Sequence, residues 1–90
     1  MFQMIMESDS ISLLKNGLDE KKFNSTLRAI CLDTNFKESS PNHYYLEEEY
    51  DELDRMIILK IKFDKLGYII PNLSKWITCS DEYGELNRIK

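Results

Sequence analysis

The residues able to do nucleophilic or metal chemistry are few and far apart in this sequence. The chain has one histidine, His43, and two cysteines, Cys31 and Cys79, which lie 48 positions apart without C-x-x-C spacing. Any Cys–His pair must therefore use His43, and both cysteines lie in apolar segments, where a thiol is normally inert. We expect His43 to be a loop residue beside aromatic neighbours, and we expect no catalytic residues and no enzymatic activity.

Metal and cofactor sites are also not indicated. One histidine and two distant cysteines are too few for the four ligands of a structural zinc site. The acidic run at residues 47–54 has adjacent carboxylates and no internal glycine, with Tyr50 in its middle, which does not match a calcium-binding loop. Neither G-x-G-x-x-G nor G-x-x-x-x-G-K is present. The sequence predicts neither a metal nor a cofactor.

Charge is concentrated in residues 47–54, here called the acidic segment. Six of the sixteen acidic residues lie in these eight positions, and no basic residue is among them. The whole chain has a net charge of −4, whereas the rest of it, with 12 basic and 10 acidic residues, has a net charge of +2. An acidic surface repels phosphates, so we do not expect direct binding of nucleic acid.

Two interpretations of the acidic segment remain open. It is either a solvated face or a docking surface for a protein partner with a basic surface. Base rates favour the first, and two features support the second: the segment lacks the interspersed lysines that solubility alone would favour, and tyrosines, which are common at binding hot spots, lie among the carboxylates. The predicted partner-binding residues are Tyr45, Glu47, Glu48, Glu49, Tyr50, Asp51, Glu52 and Asp54.

The N-terminal part predicts two helices. The first spans Ser8–Gly17, with Ser8 or Ser10 as its cap and Gly17 as its stop signal. The second runs from Asp19 to about Leu32, because its apolar residues recur at helical spacing. That apolar stripe consists of Phe23, Leu27, Ile30 and Cys31. Residues 33–42 predict a loop.

The middle of the chain is less clear. Residues 43–54 fit either a helix capped by Ser40, with Pro41 in its first turn, or a strand. The segment Arg55–Phe63 predicts a strand, because apolar residues alternate along it. The alternating residues are Ile57, Leu59, Ile61 and Phe63. A hairpin turn with Gly67 and a second strand, Tyr68–Ile70, are expected to follow.

The C-terminal part predicts a helix or a third strand at residues 73–79, a turn at residues 80–84, and an edge strand or tail at residues 85–90. Trp76 is either a core residue or part of an interface. The predicted fold class is α+β, with two N-terminal helices followed by a small antiparallel β-meander, and a mostly α chain is the alternative.

The length of 90 residues predicts a single domain, residues 1–90. No apolar run is long enough to cross a membrane, and Met1–Met6 is too short for a signal peptide and lacks basic residues. We therefore expect a cytoplasmic protein with free thiols, although a secreted chain could join Cys31 to Cys79.

The expected function follows from this combination of size and local acidity. It is a non-enzymatic protein-binding inhibitor that docks a basic surface, such as a toxin-neutralising immunity protein or a phage-encoded inhibitor of a host defence or nucleic-acid enzyme. The alternative is a small structural or assembly subunit that forms a homodimer or larger homo-oligomer, through the sheet edge or through Met56 and Ile58.

Overall fold

The computed structural model describes residues 1–47 and 52–89. Its strands are β1 (Phe2–Ser8), β2 (Lys37–Ser40), β3 (His43–Leu46), β4 (Leu73–Ser80) and β5 (Gly84–Asn87), and its helices are α1 (Ser10–Lys15), α2 (Glu20–Asp33), α3 (Glu52–Leu66) and a 3-10 turn (Ile70–Asn72). The fold class α+β is confirmed.

The strands within these residues form one five-stranded antiparallel sheet in the order β2-β3-β1-β4-β5. The order differs from that of the expected meander, because β1 lies in the middle and separates β3 from β4. Consequently β1 and β2 run parallel with β3 between them, and β3 and β4 run parallel with β1 between them. This is the split β-α-β arrangement, with β5 added at one edge.

The N-terminal segment forms the central strand, which the sequence did not lead us to expect. Phe2, Met4 and Met6 are buried, whereas Gln3 is exposed and Ile5 is half-buried. This period-two pattern places the three large side chains on the face of the sheet that the helices cover. The signal in the sequence was the recurrence of a large apolar residue at every second position, Phe2, Met4 and Met6, and the sequence interpretation did not use it.

The segment predicted as the first strand of the meander is the helix α3. Its buried apolar residues are Met56, Leu59 and Phe63, which are three and four positions apart, while Ile57 and Ile61 are exposed. The strand prediction for Arg55–Phe63 is therefore wrong, because it rested on an alternation that this helix does not use. The strand predicted at Tyr68–Ile70 is also wrong, since Ile70 begins the 3-10 turn.

The ambiguous residues 43–54 contain parts of two elements. Residues 43–46 form β3, and α3 begins at Glu52. Neither a single strand nor a helix capped by Ser40 accounts for both, and residues 48–51 lie outside the described part of the chain. The predicted loop at residues 33–42 contains the short strand β2, which pairs with β3.

The other helix and strand predictions agree with the structure more closely. The second predicted helix is α2, capped by the Asp19 side chain. The first is the shorter α1, whose cap is Asp9 rather than either serine, because the Asp9 carboxylate accepts hydrogen bonds from the Ile11 and Ser12 amides at 3.1 Å. Residues 73–79 lie in β4 and residues 84–87 form the edge strand β5.

The core lies between the helices and one face of the sheet. Trp76 of β4 is 1% exposed, and the Phe63 ring of α3 meets it edge-on at a centroid distance of 5.3 Å. The Trp76 indole N–H points to the Met4 sulfur at 3.3 Å. Trp76 is thus a core residue, and it joins α3 to the two central strands. No helix in the described residues is long and apolar enough to cross a membrane.

Candidate protein-binding surfaces

The outer side of α3 exposes a row of large apolar side chains. Leu53, Ile57 and Ile61 are spaced four residues apart and are 56%, 58% and 56% exposed, and Ile58 lies beside them. We call these four residues the α3 stripe. Residues four apart lie one above the other on a helix, so the stripe runs along one exposed side of the helix. A continuous apolar surface of this kind is characteristic of interaction sites.

Charged residues border the α3 stripe. Asp54 is exposed in the first turn and Lys65 in the last, which suits the helix dipole at both ends. Between them, Lys60 forms an ion pair with Asp64 at 2.8 Å. The stripe therefore has a polar rim around an apolar centre, which is the usual organisation of a protein interface.

A groove of about 290 Å³ lies beside the stripe, between α3 and the sheet. Its lining combines the apolar residues Leu53, Ile57, Met56 and Trp76 with two basic residues, Lys60 and Arg88. Arg88 is held in place because its backbone amide donates to the Trp76 carbonyl at 2.7 Å and its Nε donates to the Thr78 hydroxyl at 2.9 Å. A groove of this size and lining accommodates one apolar side chain from a partner.

The acidic segment is only partly described, and its described residues do not form one face. Glu47 is exposed and pairs with Lys37 at 2.7 Å, a hydrogen bond that raises the pKa of Lys37. Glu52 is 2% exposed, so its carboxylate is not available at the surface, whereas Asp54 is exposed on α3. The predicted residues Glu48, Glu49, Tyr50 and Asp51 lie outside the described residues.

Tyr45 belongs to a different surface, the open face of the sheet. In the described residues no helix covers this face, which carries the side chains that alternate with the buried ones. Its members are Gln3, Ile5 and Glu7 of β1, His43 and Tyr45 of β3, and Lys75, Ile77 and Cys79 of β4, with Lys37 and Glu85 at its two edges. A shallow cavity of about 260 Å³ lies on it beside Tyr45 and His43.

The described residues do not bring a cysteine and the histidine together. Cys79 lies on β4 and His43 on β3, with β1 between them and an offset of two residues along it, so strand geometry puts them more than about 10 Å apart. Cys31 is buried on α2, where desolvation, followed by the charge of Glu38, raises the pKa of its thiol. The Nδ1 of His43 donates to the Pro41 carbonyl at 2.9 Å. In residues 1–47 and 52–89 no group of three or more His, Cys, Asp or Glu could hold a metal ion.

The sequence interpretation missed the α3 stripe, since it placed Ile57 and Ile61 on the buried side of a strand. The i, i+4 spacing of Leu53, Ile57 and Ile61 was the signal that could have revealed it. Met56, which the alternative hypothesis of an assembly subunit placed at an oligomer interface, is instead part of the core, whereas Ile58 is exposed. Comparisons with models of protein families, with curated proteins and with solved structures found no match to this chain.

Proposed function

We propose that this protein is a non-enzymatic binding protein that docks a protein partner on the α3 stripe. The observation that carries the proposal is the row formed by Leu53, Ile57 and Ile61, each more than half exposed on one side of a 15-residue helix. The partner has a basic surface around an apolar side chain, because the acidic segment leads directly into the helix that bears the stripe.

The apolar part of this interface supplies most of the binding energy. Complete burial of an isoleucine or leucine side chain stabilises by about 1.5–3 kcal/mol, so burying the exposed half of each stripe residue contributes roughly 1 kcal/mol. Four residues then give roughly 4 kcal/mol before the costs of association. This gain requires close fit, which the groove beside Trp76 offers to one side chain of the partner.

The acidic segment acts mainly on the rate of association. Clustered charge of one sign steers an oppositely charged partner and raises the association rate, most strongly at low salt. Glu47 is already paired with Lys37 and Glu52 is buried. The steering charge is therefore assigned to Asp54 and to Glu48, Glu49 and Asp51, which precede α3 in the sequence.

An inhibitor is the biological role that suits such a surface. By covering a basic active site or nucleic-acid-binding surface, a small domain blocks its partner without chemistry of its own. A toxin-neutralising immunity protein and a phage-encoded inhibitor of a host defence or nucleic-acid enzyme both act in this way. We place the protein in the cytoplasm, a proposal supported by Cys31 and Cys79, which are free.

A displayed peptide library provides the test, since it can be screened before the partner is identified. We expect panning against the protein to enrich peptides that combine apolar residues with Lys or Arg. Ile57→Lys should reduce the affinity of the protein for these peptides by at least tenfold, because it removes roughly 1 kcal/mol of apolar burial and places an ammonium group in the contact. Leu14→Lys is the matched control, since Leu14 is 82% exposed on a different helix.

Charge reversal tests the electrostatic part separately. Glu48→Lys and Asp51→Lys together should slow association at low salt and leave dissociation nearly unchanged. Enriched peptides that bind Ile57→Lys as tightly as the unmodified protein would refute docking on the stripe. Peptides without basic residues, or an association rate that does not change on charge reversal, would remove the basic partner from the proposal.

A further inference from the structure

We propose that the open face of the sheet binds a second copy of this chain, with a two-fold axis parallel to β1. This interaction is independent of the proposed function, because the open face and the α3 stripe lie on opposite sides of the sheet. A dimer of this kind would carry two α3 stripes, both directed outward.

The open face has an apolar centre and charged edges. Ile5 of the central strand β1 is paired with Ile77 of β4, and Tyr45 lies on β3 at the other side of β1; all three are only half-buried. At the edges, Lys37 lies on the β2 side and Glu85 on the β5 side, and both are exposed. An apolar centre within a charged rim is the pattern of a protein interface.

The strand register makes this face complementary to itself. One row of paired residues crosses all five strands, in the order Lys37, Tyr45, Gln3, Cys79, Glu85. A two-fold axis along the central strand exchanges β2 with β5 and β3 with β4 between the copies. Lys37 then faces Glu85 of the second copy, and Tyr45 faces Cys79 of the second copy. The opposite charges at the two ends of this row select a second copy as the occupant.

The next row extends the apolar contact. His43, Ile5 and Ile77 are neighbours across β3, β1 and β4, so the same axis places Ile5 against Ile5 of the second copy. Beyond them, Glu7 lies near the axis and faces Glu7 of the second copy. Lys75, 3.8 Å from Glu7 in the same chain, offsets this like-charge approach. Sheets that pack face to face in this way lie about 10 Å apart, with their strands within about 30° of each other.

The ion pair that Lys37 already makes is compatible with this contact. Its ammonium group donates to Glu47 at 2.7 Å, and an ammonium group has three donors, so it can also reach Glu85 of the second copy. The contact is limited to one face of a small sheet with short edge strands. Interfaces of this small size are weak or transient, and we expect dissociation in the micromolar range.

Sedimentation velocity over a concentration series measures this association. Lys37→Glu and Glu85→Lys should each weaken dimerisation about fivefold, since each replaces an attraction with a repulsion. The double variant should restore the dimer to within about twofold. Lys37 and Glu85 lie at opposite edges of one sheet, roughly 19 Å apart across four strand spacings, so coupling between them within one chain is screened.

A second pair of variants separates this proposal from the function assigned to α3. Ile77→Lys should abolish the dimer and leave binding of the selected peptides unchanged, and Ile57→Lys should do the reverse. Circular dichroism confirms that each variant is folded. A protein that stays monomeric at millimolar concentration, a double charge variant that does not recover, or a dimer lost with Ile57→Lys but kept with Ile77→Lys would each overturn the proposal.

Discussion

The clearest test of the fold compares three alanine substitutions within α3. Leu59 is fully buried, whereas Ile57 and Ile61 are more than half exposed. In a strand, these three residues would share one buried face, and their substitutions would have similar costs. In the helix, only Leu59 lies on the buried side, so Leu59→Ala should destabilise the protein far more than Ile57→Ala or Ile61→Ala.

The size of the difference follows from burial. Leucine-to-alanine substitutions at fully buried sites cost about 3 kcal/mol, within a range of roughly 2–5 kcal/mol, because a cavity remains. At Ile57 less than half of the side chain leaves water on folding, which corresponds to about 1 kcal/mol. The better helix propensity of alanine offsets about 0.4 kcal/mol of this. We therefore expect a difference of about 2 kcal/mol between the Leu59 and Ile57 variants.

Urea unfolding followed by circular dichroism measures this difference. If the unfolding free energies of the variants depend equally on urea concentration, the urea midpoint of Leu59→Ala should fall well below those of the other two variants. In thermal unfolding, about 3 kcal/mol corresponds to a loss of roughly 12–24 °C for a domain of this size. The measurements belong at a protein concentration well below the micromolar dissociation constant expected for the dimer, where self-association contributes little.

Equal losses of unfolding free energy on alanine substitution of Leu59, Ile57 and Ile61 would refute the helix and support a strand with one buried face. A loss at Ile57 that exceeds the loss at Leu59 would also contradict the assignment of the α3 stripe to the surface. Lys65→Ala is a suitable control, because this residue is exposed in the last turn of α3.

Two further predictions concern titratable groups. Cys79 is exposed and Cys31 is buried, and burial raises the pKa of the Cys31 thiol. An aromatic disulfide reagent should therefore modify one thiol in the folded protein and two in guanidinium chloride. Rapid reaction of both thiols in the folded state would contradict the burial of Cys31. The Glu20 carboxylate accepts hydrogen bonds at 2.7 Å from the hydroxyls of Ser8 and Ser10. Both bonds, that of Ser8 first, lower the pKa of this carboxyl group. Because its pKa is lower in the folded state, this stabilisation is complete above the pKa of the unfolded chain and is lost as pH falls through the folded value. Glu20→Gln should therefore lower the urea midpoint at neutral pH, and the gap to the unmodified protein should close on acidification below the ordinary range of a glutamate; a gap that does not depend on pH would show that the charge of Glu20 is not the cause.

The elements that could be predicted from sequence are those with strong local signals. Asp19 before an apolar stripe at helical spacing predicted α2, and the structure has that helix with that cap. Gly17 predicted the end of the first helix, and it has a positive φ of 69°, which favours glycine. These signals act over a few residues and do not depend on what packs against them.

The acidic segment could also be located from sequence, but the surface that it forms could not. Counting charges identified residues 47–54, yet Glu52 is buried and Glu47 is paired with Lys37 from a different strand. Burial and pairing depend on neighbours that are distant in the chain. The α3 stripe was missed for the same reason, because its exposure follows from the side of the helix that meets the sheet.

By itself, the sequence determined the helix α2 and the position of the acidic charge, since each rests on composition or on local spacing. The α+β class was predicted correctly, but partly from strands at residues 55–63 and 68–70, where the structure has a helix and a turn. The C-terminal edge strand was one of two alternatives that the sequence left open. Only the tertiary structure decided between helix and strand at residues 55–63. Leu59 and Phe63 are four residues apart and fit both periods, so the choice depended on whether Met56 or Ile57 joins them in the core. Packing against Trp76 favours the helix, and this leaves Ile57 and Ile61 exposed on the surface that we propose as the binding site.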